Sequence, residues 1–319
     1  MLEFILRNLV QKSITLFFIS VISFLIIYLA PGKPSQIDPM NPKFTPELLK
    51  RFQEHFHLDK PLYVQYYLFY KDLITGKSVS WQDNTPVLKK IWERFLNSFP
   101  LFLIGTILTW TISFPIGIKS AISRGSVFDK TTTFFAYTLI SIPGFFFAYV
   151  IIIFVVNYLH VPVIGMKTFG IQSQSQLHLI MDRIWHLVIP SFLSASGGVA
   201  ILSRYVRNQM LEVQDADYIR TARAKGLSED EVIYKHALKN ALLPFITMFG
   251  LVIPGLIGGS VIIESIFSWP GIGLMAYQAI LARDYPVILT LNFISAILVL
   301  VGTFLSDLLY MIVDPRIKI

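Results

Sequence analysis

The sequence predicts an all-α, polytopic membrane protein with about six transmembrane helices. Three observations predict it. Hydrophobic residues make up 54% of the 319-residue chain and charged residues only 15%, where soluble domains carry roughly 25% charge. The apolar residues fall in six long runs, each near the ~20 residues that a helix needs to cross a bilayer core. Lys and Arg gather at the ends of those runs, so the formal charge of +7 has a topological origin and nucleic acid is not expected as a partner. Cysteine is absent, which excludes disulfides, cysteine metal sites and thiol catalysis.

The first run follows a weakly basic start, Met1 to Lys12. Its apolar stretch, Ile14 to Ala30, is longer than the ~7–15 residues of a signal-peptide core, and Tyr28-Leu29-Ala30-Pro31 makes a poor cleavage site. It reads as a retained helix, Leu9–Leu29, in an N-terminal unit 1–30. The unit 31–95 is expected to be a small extracytoplasmic subdomain, with one short amphipathic helix where Leu62, Tyr66 and Phe69 recur at helical spacing. Five further spans fall near Phe99–Ile122, Thr131–Leu159, His186–Met210, Ala241–Ile263 and Val287–Val313, within a unit 96–313; a tail 314–319 follows. No low-complexity tract and no internal repeat stands out.

Charge orients the spans. Arg7 and Lys12, then Lys119, Arg124 and Lys130, then Arg204, Arg207, Arg220, Arg223, Lys225, Lys235 and Lys239, then Arg316 and Lys318 all fall on one side of a six-span chain. The positive-inside rule makes that side the cytoplasm and both termini cytoplasmic. Pro115, Pro143, Pro190 and Pro254 lie inside spans. Each frees a backbone carbonyl for a neighbour or for water in a cavity. That fits a moving pore and equally a packed bundle with ordinary kinks.

The stretch Asp215 to Leu243, in a loop region of about 215–240, is the most informative. A short helix starts near Asp215, with acids in its first turn and Arg223 and Lys225 in its last, as the helix dipole favours. Gly226 stands where a left-handed residue often ends a helix. Ser228 and Glu231 have capping-box spacing, and Leu227 and Val232 can form the accompanying staple. The result is helix, sharp turn, helix. Tyr218 and Ala222 share one face of the first helix, and its small alanines would let a partner approach closely. Periodicity alone fits a solvated amphipathic loop just as well.

This stretch resembles the cytoplasmic signature loop of ABC importer permeases, in the form of the oligopeptide/dipeptide permease family. The general motif is Glu-Ala-Ala, three residues, Gly, nine residues, Ile-x-Leu-Pro; only Ala222, Gly226 and Leu238 match it. The peptide subfamily reads Asp-Tyr-x-Arg-Thr-Ala-Arg-Ala-Lys-Gly-Leu and then His-Ala-Leu-Arg-Asn-Ala-Leu-Leu-Pro. Asp217 to Leu227 and His236 to Pro244 reproduce it, with Lys239 for Arg. Pro61 to Tyr66, Glu264 to Gly273, Arg283-Asp284-Tyr285-Pro286 and Asp314-Pro315-Arg316 resemble further family segments, so the likeness covers nearly the whole chain.

The resemblance implies a type I ABC importer transmembrane fold and a pore-forming permease that imports di- or oligopeptides. It implies a second homologous permease, two ABC ATPase subunits carrying ATP and Mg, an extracytoplasmic solute-binding protein, and a place among the lipids of the cell's inner membrane. It assigns ATPase coupling to Asp217, Tyr218, Arg220, Thr221, Ala222, Arg223, Ala224, Lys225 and Gly226, while Ser228, Glu231, His236, Asn240 and Pro244 shape the loop. Relatives in the family carry nickel chelates or other small solutes, and this substrate class stays open.

Ionisable groups at membrane depth are functional candidates. Glu264 would attract a peptide amine, hold an outer gate, or form a salt bridge within the bundle; Asp307 is expected to pair internally. Trp269 fits an interfacial anchor, while the resemblance makes it part of a re-entrant gate segment with Pro270, Gly271 and Gly273. No catalytic residue and no metal or cofactor site is expected on this chain. Gly76-Lys77-Ser78 lacks the upstream glycine of a phosphate-binding loop, since Lys71 stands there. Ser196-Gly197-Gly198 lacks the flanks of an ABC ATPase signature. His55, His57 and the other histidines have no metal spacing. An intramembrane protease is disfavoured by the absence of a Gly-x-Ser-x-Gly turn and of paired membrane aspartates. An ion-driven carrier is disfavoured by the few membrane charges and the long basic loop.

Overall fold

The computed structural model describes residues 2–30, 45–170, 175–250, 252–258 and 260–313. The start of the expected extracytoplasmic subdomain and the tail motif Asp314-Pro315-Arg316 with Lys318 lie outside the described residues. Among the described residues the chain is helical, with one isolated β-bridge, Val79 to Pro86. Four helices are long and apolar enough to cross a membrane, and six spans result if each of two bent pairs counts as one.

The first crossing, α1 (Leu2–Leu29), lies against the last, α14 (Tyr285–Val313). They are antiparallel. Tyr28 meets Tyr285 at one end, while Lys12 at the other donates to Thr303 Oγ1 at 2.9 Å and sits 3.9 Å from Asp307. Asp307 therefore has the internal partner expected of it. Two short helices follow, α2 (Pro46–His55) and α3 (Leu62–Ile74).

The second crossing, α4, runs from Val87 to Ile122, 36 residues. The sequence reading started this span at Phe99 and closed the outer unit at residue 95; residues 87–95 are instead the first turns of the spanning helix. Two features start it early. The Asp83 carboxylate accepts from Thr85 N–H at 3.1 Å and from Lys90 at 2.7 Å, closing the turn before Pro86. Val87 and Ile91 then bury against α13 (Ile272–Ala282) and α14.

The expected third span, Thr131–Leu159, is two helices. α5 (Val127–Ser141) and α6 (Gly144–Phe154), which a π-helical turn Val155–Leu159 extends, meet at 98°. Pro143 is the cause. It lacks an N–H and pushes the preceding residue out of the helical region, and Ile142 is extended at ψ 123°. The fourth crossing, α7 (Gln176–Gln214), is 39 residues long and packs along α4 for much of its length. Pro115 and Pro190 lie inside α4 and α7 without ending them.

The expected fifth span, Ala241–Ile263, is also broken. After α8 (Asp217–Ala224), a π-helical turn Glu231–Ala237 leads into α9 (Leu238–Ala241), α10 (Leu243–Gly250), α11 (Val252–Gly258) and α12 (Val261–Ile266). Pro244, without an N–H, cannot continue the ladder from α9, which explains the first of these breaks. The bundle thus has a basic end, where Lys119, Arg207 and α8 lie, and a far end, where α4 and α14 begin.

Candidate functional site

At the basic end α7 turns directly into α8. Asp215 N–H closes on Leu211 O and Ala216 N–H on Val213 O, at 3.3 and 3.1 Å, and α8 begins two residues later. It is short because Gly226 follows at φ +79°, a left-handed conformation that side chains with a Cβ resist. Arg223 then reaches across the turn to Glu229, Nε to Oε1 at 2.9 Å. Ser228 Oγ accepts from Glu231 N–H at 3.3 Å, and Leu227 packs on the cluster that holds Val232. Asn240 donates to His236 O at 3.0 Å on the next helical turn.

This hairpin has a buried face and an open face. Ile219 is fully buried, and Ala222 is 7% exposed, in a cluster with Val206, Met210, Val232 and Ala237. Asp217, Tyr218, Arg220, Thr221, Arg223, Ala224 and Lys225 are exposed. This corrects the sequence reading, which gave Tyr218 and Ala222 one partner-facing side. Ala222 seats the helix on its own bundle, and Ala224 is the small residue left on the open side. Burial raises the Tyr218 hydroxyl pKa, while a hydrogen bond with Asn240 opposes that shift.

Next to the hairpin, α5 is tied to α7. Asp129 accepts two bonds from Arg207, at 2.6 and 2.7 Å, and one each from Ser120 Oγ and Gly125 N–H, the last at 2.9 Å. Arg204 donates to Thr133 at 2.7 Å. The two-pronged pairing of guanidinium with carboxylate is among the stronger side-chain contacts. Sequence reasoning passed over Asp129. Its signal was a lone acid three residues after Ser126, in a loop otherwise basic.

The second group of candidates lies at the far end. Ser98 and Ala121 of α4, which face the two groups, are about 35 Å apart at 1.5 Å per residue. Glu264 is fully buried. Its Oε1 accepts from Ser98 Oγ at 2.7 Å and its Oε2 from Leu274 N–H at 2.9 Å. Ser98 Oγ in turn accepts from Ile272 N–H at 2.8 Å. Asn97 donates to Pro270 O and accepts from Trp269 Nε1, both at 2.9 Å. Gly271 is required here: a Cβ would stand 2.5 Å from Glu264 Oε2. At Gly273 a Cβ would stand 2.7 Å from Val261 N.

These contacts revise two expectations. Among the described residues Glu264 has no salt-bridge partner; a hydroxyl and a backbone donor satisfy its carboxylate. Trp269 is 1% exposed and is a core side chain rather than an interfacial anchor. The segment Trp269 to Gly273 is a loop bolted to α4. Asn97 and Ser98, its partners, were not legible as site residues, because an Asn-Ser pair at the edge of an apolar run looks like an ordinary helix end. Asp284 holds a similar post, buried at the start of α14, where it accepts from Ser80 Oγ and, at 3.0 Å, from Trp81 N–H.

Between the two ends, a groove of about 380 Å³ opens among α4, α7, α10 and α11. Phe102, Thr106, Thr109, Ser194, Gly198 and Met248 are among its walls. Among the described residues, no three His, Cys, Asp or Glu side chains group closely enough to hold a metal ion.

The family profile described as binding-protein-dependent transport system inner membrane component matches residues 113–319, and the profile for the N-terminal part of such membrane components matches residues 1–102. The chain belongs to this family of transport permeases. The permease is 41% identical to the oligopeptide transport system permease protein AppB of Bacillus subtilis, over the full length of both chains. It is 36% identical to the dipeptide transport system permease protein DppB of Alkalihalophilus pseudofirmus, again over both full lengths. It is 33% identical to the protein of the same name from Escherichia coli K12, covering all of this chain and 99% of the relative. Among solved structures it shares its fold with a chain of the MetNI methionine ABC transporter in inward-facing form, with TM-score 0.53, 19% identity, and coverage of 72% of this chain and 98% of the other. The permease is thus a multi-pass transport subunit with the fold of an ABC importer permease, and it works within a transporter complex. Its hairpin and its far-end loop both fall inside the part matched by the larger family profile.

Proposed function

We propose that this permease forms half of the pore of an ATP-driven, binding-protein-dependent importer of di- or oligopeptides. The other half is a second homologous permease. Two ABC ATPase subunits, which carry the ATP and Mg, dock on the basic end, and an extracytoplasmic binding protein delivers peptide at the far end. The basic end then faces the cytoplasm of a cell whose inner membrane the permease spans, with both termini on that side. Names of full-length relatives at 33–41% identity support the peptide class.

One observation carries the coupling role. α8 is seated by Ile219 and Ala222 and follows α7 after a two-residue turn, while Tyr218, Arg220, Arg223, Ala224 and Lys225 are left open to a partner. Force on the open face reaches the bundle through packed side chains instead of being absorbed in a loose loop. ATP then biases the pore between two states by closing the ATPase pair beneath α8.

The test is uptake into vesicles holding this permease with its second permease, both ATPases and the binding protein. Peptide uptake that needs ATP and the binding protein, and that persists when ion gradients are collapsed, supports the reading. Uptake that stops with the gradient makes the protein an ion-driven carrier and overturns it. ATP-dependent uptake of a nickel chelate in place of peptide would keep the coupling and reassign the substrate.

A further inference from the structure

α3 is inside out for a helix in water. Its one amide side chain, Gln65, is buried, with Nε2 donating to Lys60 O at 2.7 Å and Leu58 O at 3.3 Å. Beyond its first residue, Leu62, its exposed residues are Tyr63, Tyr67 and Ile74, at 76%, 62% and 80% exposure, and Lys71. These four recur at helical spacing and make one stripe. The flank beside the stripe turns inward, with Tyr66 and Tyr70 meeting Phe24 and Phe293 and Leu73 buried. Apart from Gln65, Lys71 and Asp72 the helix carries only apolar and aromatic residues, a composition that suits the inside of a protein or a membrane boundary.

The depth of α3 decides between those two. Tyr66 Oη lies 2.7 Å from Ser20 Oγ, and Tyr70 Oη donates to Ser20 O at 3.4 Å. The Tyr66 ring meets Phe24, and the Tyr70 ring meets Phe293. Ser20 is about 13 Å down α1 from Leu29, and Phe293 about 12 Å down α14 from Tyr285, at 1.5 Å per residue. So α3 does not sit beyond the ends of the spanning helices. It lies alongside them, where α1 itself shows Ile22, Ile26 and Leu29 to the surroundings.

We infer that α3 is an interfacial helix whose Tyr63, Tyr67 and Ile74 stripe is bedded at the headgroup–acyl boundary of the leaflet nearest the C-terminal end of α1. Tyr suits that boundary, because its ring is apolar and its hydroxyl seeks water. Lys71 suits it too: its stem lies along apolar surface while its ammonium reaches the lipid phosphates. The segment expected to be a subdomain in water is thus held partly by lipid. Through Ser80 and Trp81 it also grips Asp284 at the start of α14, so the lipid surface helps to set where that crossing begins.

The absence of cysteine makes a direct test possible. Tyr63→Cys, Tyr67→Cys and Ile74→Cys are spin-labelled singly in the full transporter in phospholipid vesicles. Collisional relaxation is then read with oxygen, which concentrates in lipid, and with a nickel chelate, which stays in water. Ile22→Cys on α1 and Lys89→Cys on the exposed side of α4 supply the lipid and water standards. The expected result is an oxygen-to-nickel ratio at the three positions shifted away from the Lys89 value toward that of Ile22. A ratio matching Lys89 would place α3 in water and overturn the inference. Low access to both reagents would mean that a protein partner covers the stripe, which overturns it as well.

Discussion

Ala222 and Ala224 lie two residues apart on α8 and should respond in opposite ways to the same substitution. Ala222→Glu puts a carboxylate into a cluster of Val206, Met210, Ile219, Val232 and Ala237. An unpaired buried charge costs several kcal/mol. The seat itself is worth less: burying Ile219 fully contributes about 1.5–3 kcal/mol, and the Ala222 methyl adds little. The helix should therefore lift off while the long helices stay folded. Trypsin, which cuts after Arg220, Arg223 and Lys225, reports that lift-off, and ATPase subunits should no longer co-purify. Ala224→Glu changes an exposed position, with a stability cost within about 0.5 kcal/mol, so the trypsin pattern should stay native. Peptide-stimulated ATP hydrolysis should nonetheless fall, because the carboxylate would stand on the proposed docking face. Native trypsin resistance in the Ala222 variant would refute the seating. Full stimulation in the Ala224 variant would refute the docking face.

Other outcomes follow from single contacts. Gly226→Val should loosen the same hairpin by about 1–2 kcal/mol, through its left-handed backbone alone, since a Cβ there meets nothing within 4 Å; trypsin sensitivity should rank Val above Asn above Gly. Glu264→Gln removes an acceptor from either Ser98 or Leu274 N–H and should lower stability by about 1–3 kcal/mol, read as a lower midpoint in thermal unfolding of the purified permease; an unchanged midpoint would return Glu264 to the pathway candidates. Asp129→Ala leaves Arg207 partly buried without its carboxylate and should destabilise strongly, whereas adding Arg207→Ala should recover part of the loss, a non-additivity that a double-mutant cycle in denaturant measures. At the far end, burial alone would raise the Asp83 pKa, but hydrogen bonds from Lys90 and Thr85 outweigh it and hold the carboxyl well below its ordinary range. Because the folded pKa is the lower one, the contribution is present in full above the unfolded carboxylate pKa of about 4 and is lost as pH falls; Lys90→Ala should blunt that acid sensitivity in a stability–pH series.

Hydropathy made the membrane class legible, because roughly twenty apolar residues in a row have few other homes. It could not show where the helices bend. Thr131–Leu159 reads as one run, and only the pairing of Ile142 with Pro143 carries the 98° break; Pro190, in an equally apolar run, breaks nothing. The hairpin was legible almost residue by residue, since Gly226, Ser228 and Glu231 act through local backbone geometry. The direction of Ala222 was not, because both faces of α8 carry small or mixed residues and the cluster it joins comes from α7 and from the turn after Ser228. Glu264 was noticed as an ionisable residue at membrane depth. Its partners were not, because Ser98 lies far from it in sequence and carries no charge to give it away.

Where the chain is stiff and where it is broken bears on how a push at α8 travels. α4 and α7 are unbroken for 36 and 39 residues and packed on each other. Asp129 and Arg207 fasten α5 to that pair at the basic end. Asn97, Ser98 and Glu264 fasten α12 and α13 to it at the far end. A push at α8 therefore meets a connected set, in which α5, α12 and α13 are tied to α4 and α7 by these contacts. The described breaks lie elsewhere: the bend at Pro143 between α5 and α6, and Leu242, where α9 gives way to α10. The 380 Å³ groove lies between the stiff pair and α10 and α11, which follow the second of these breaks.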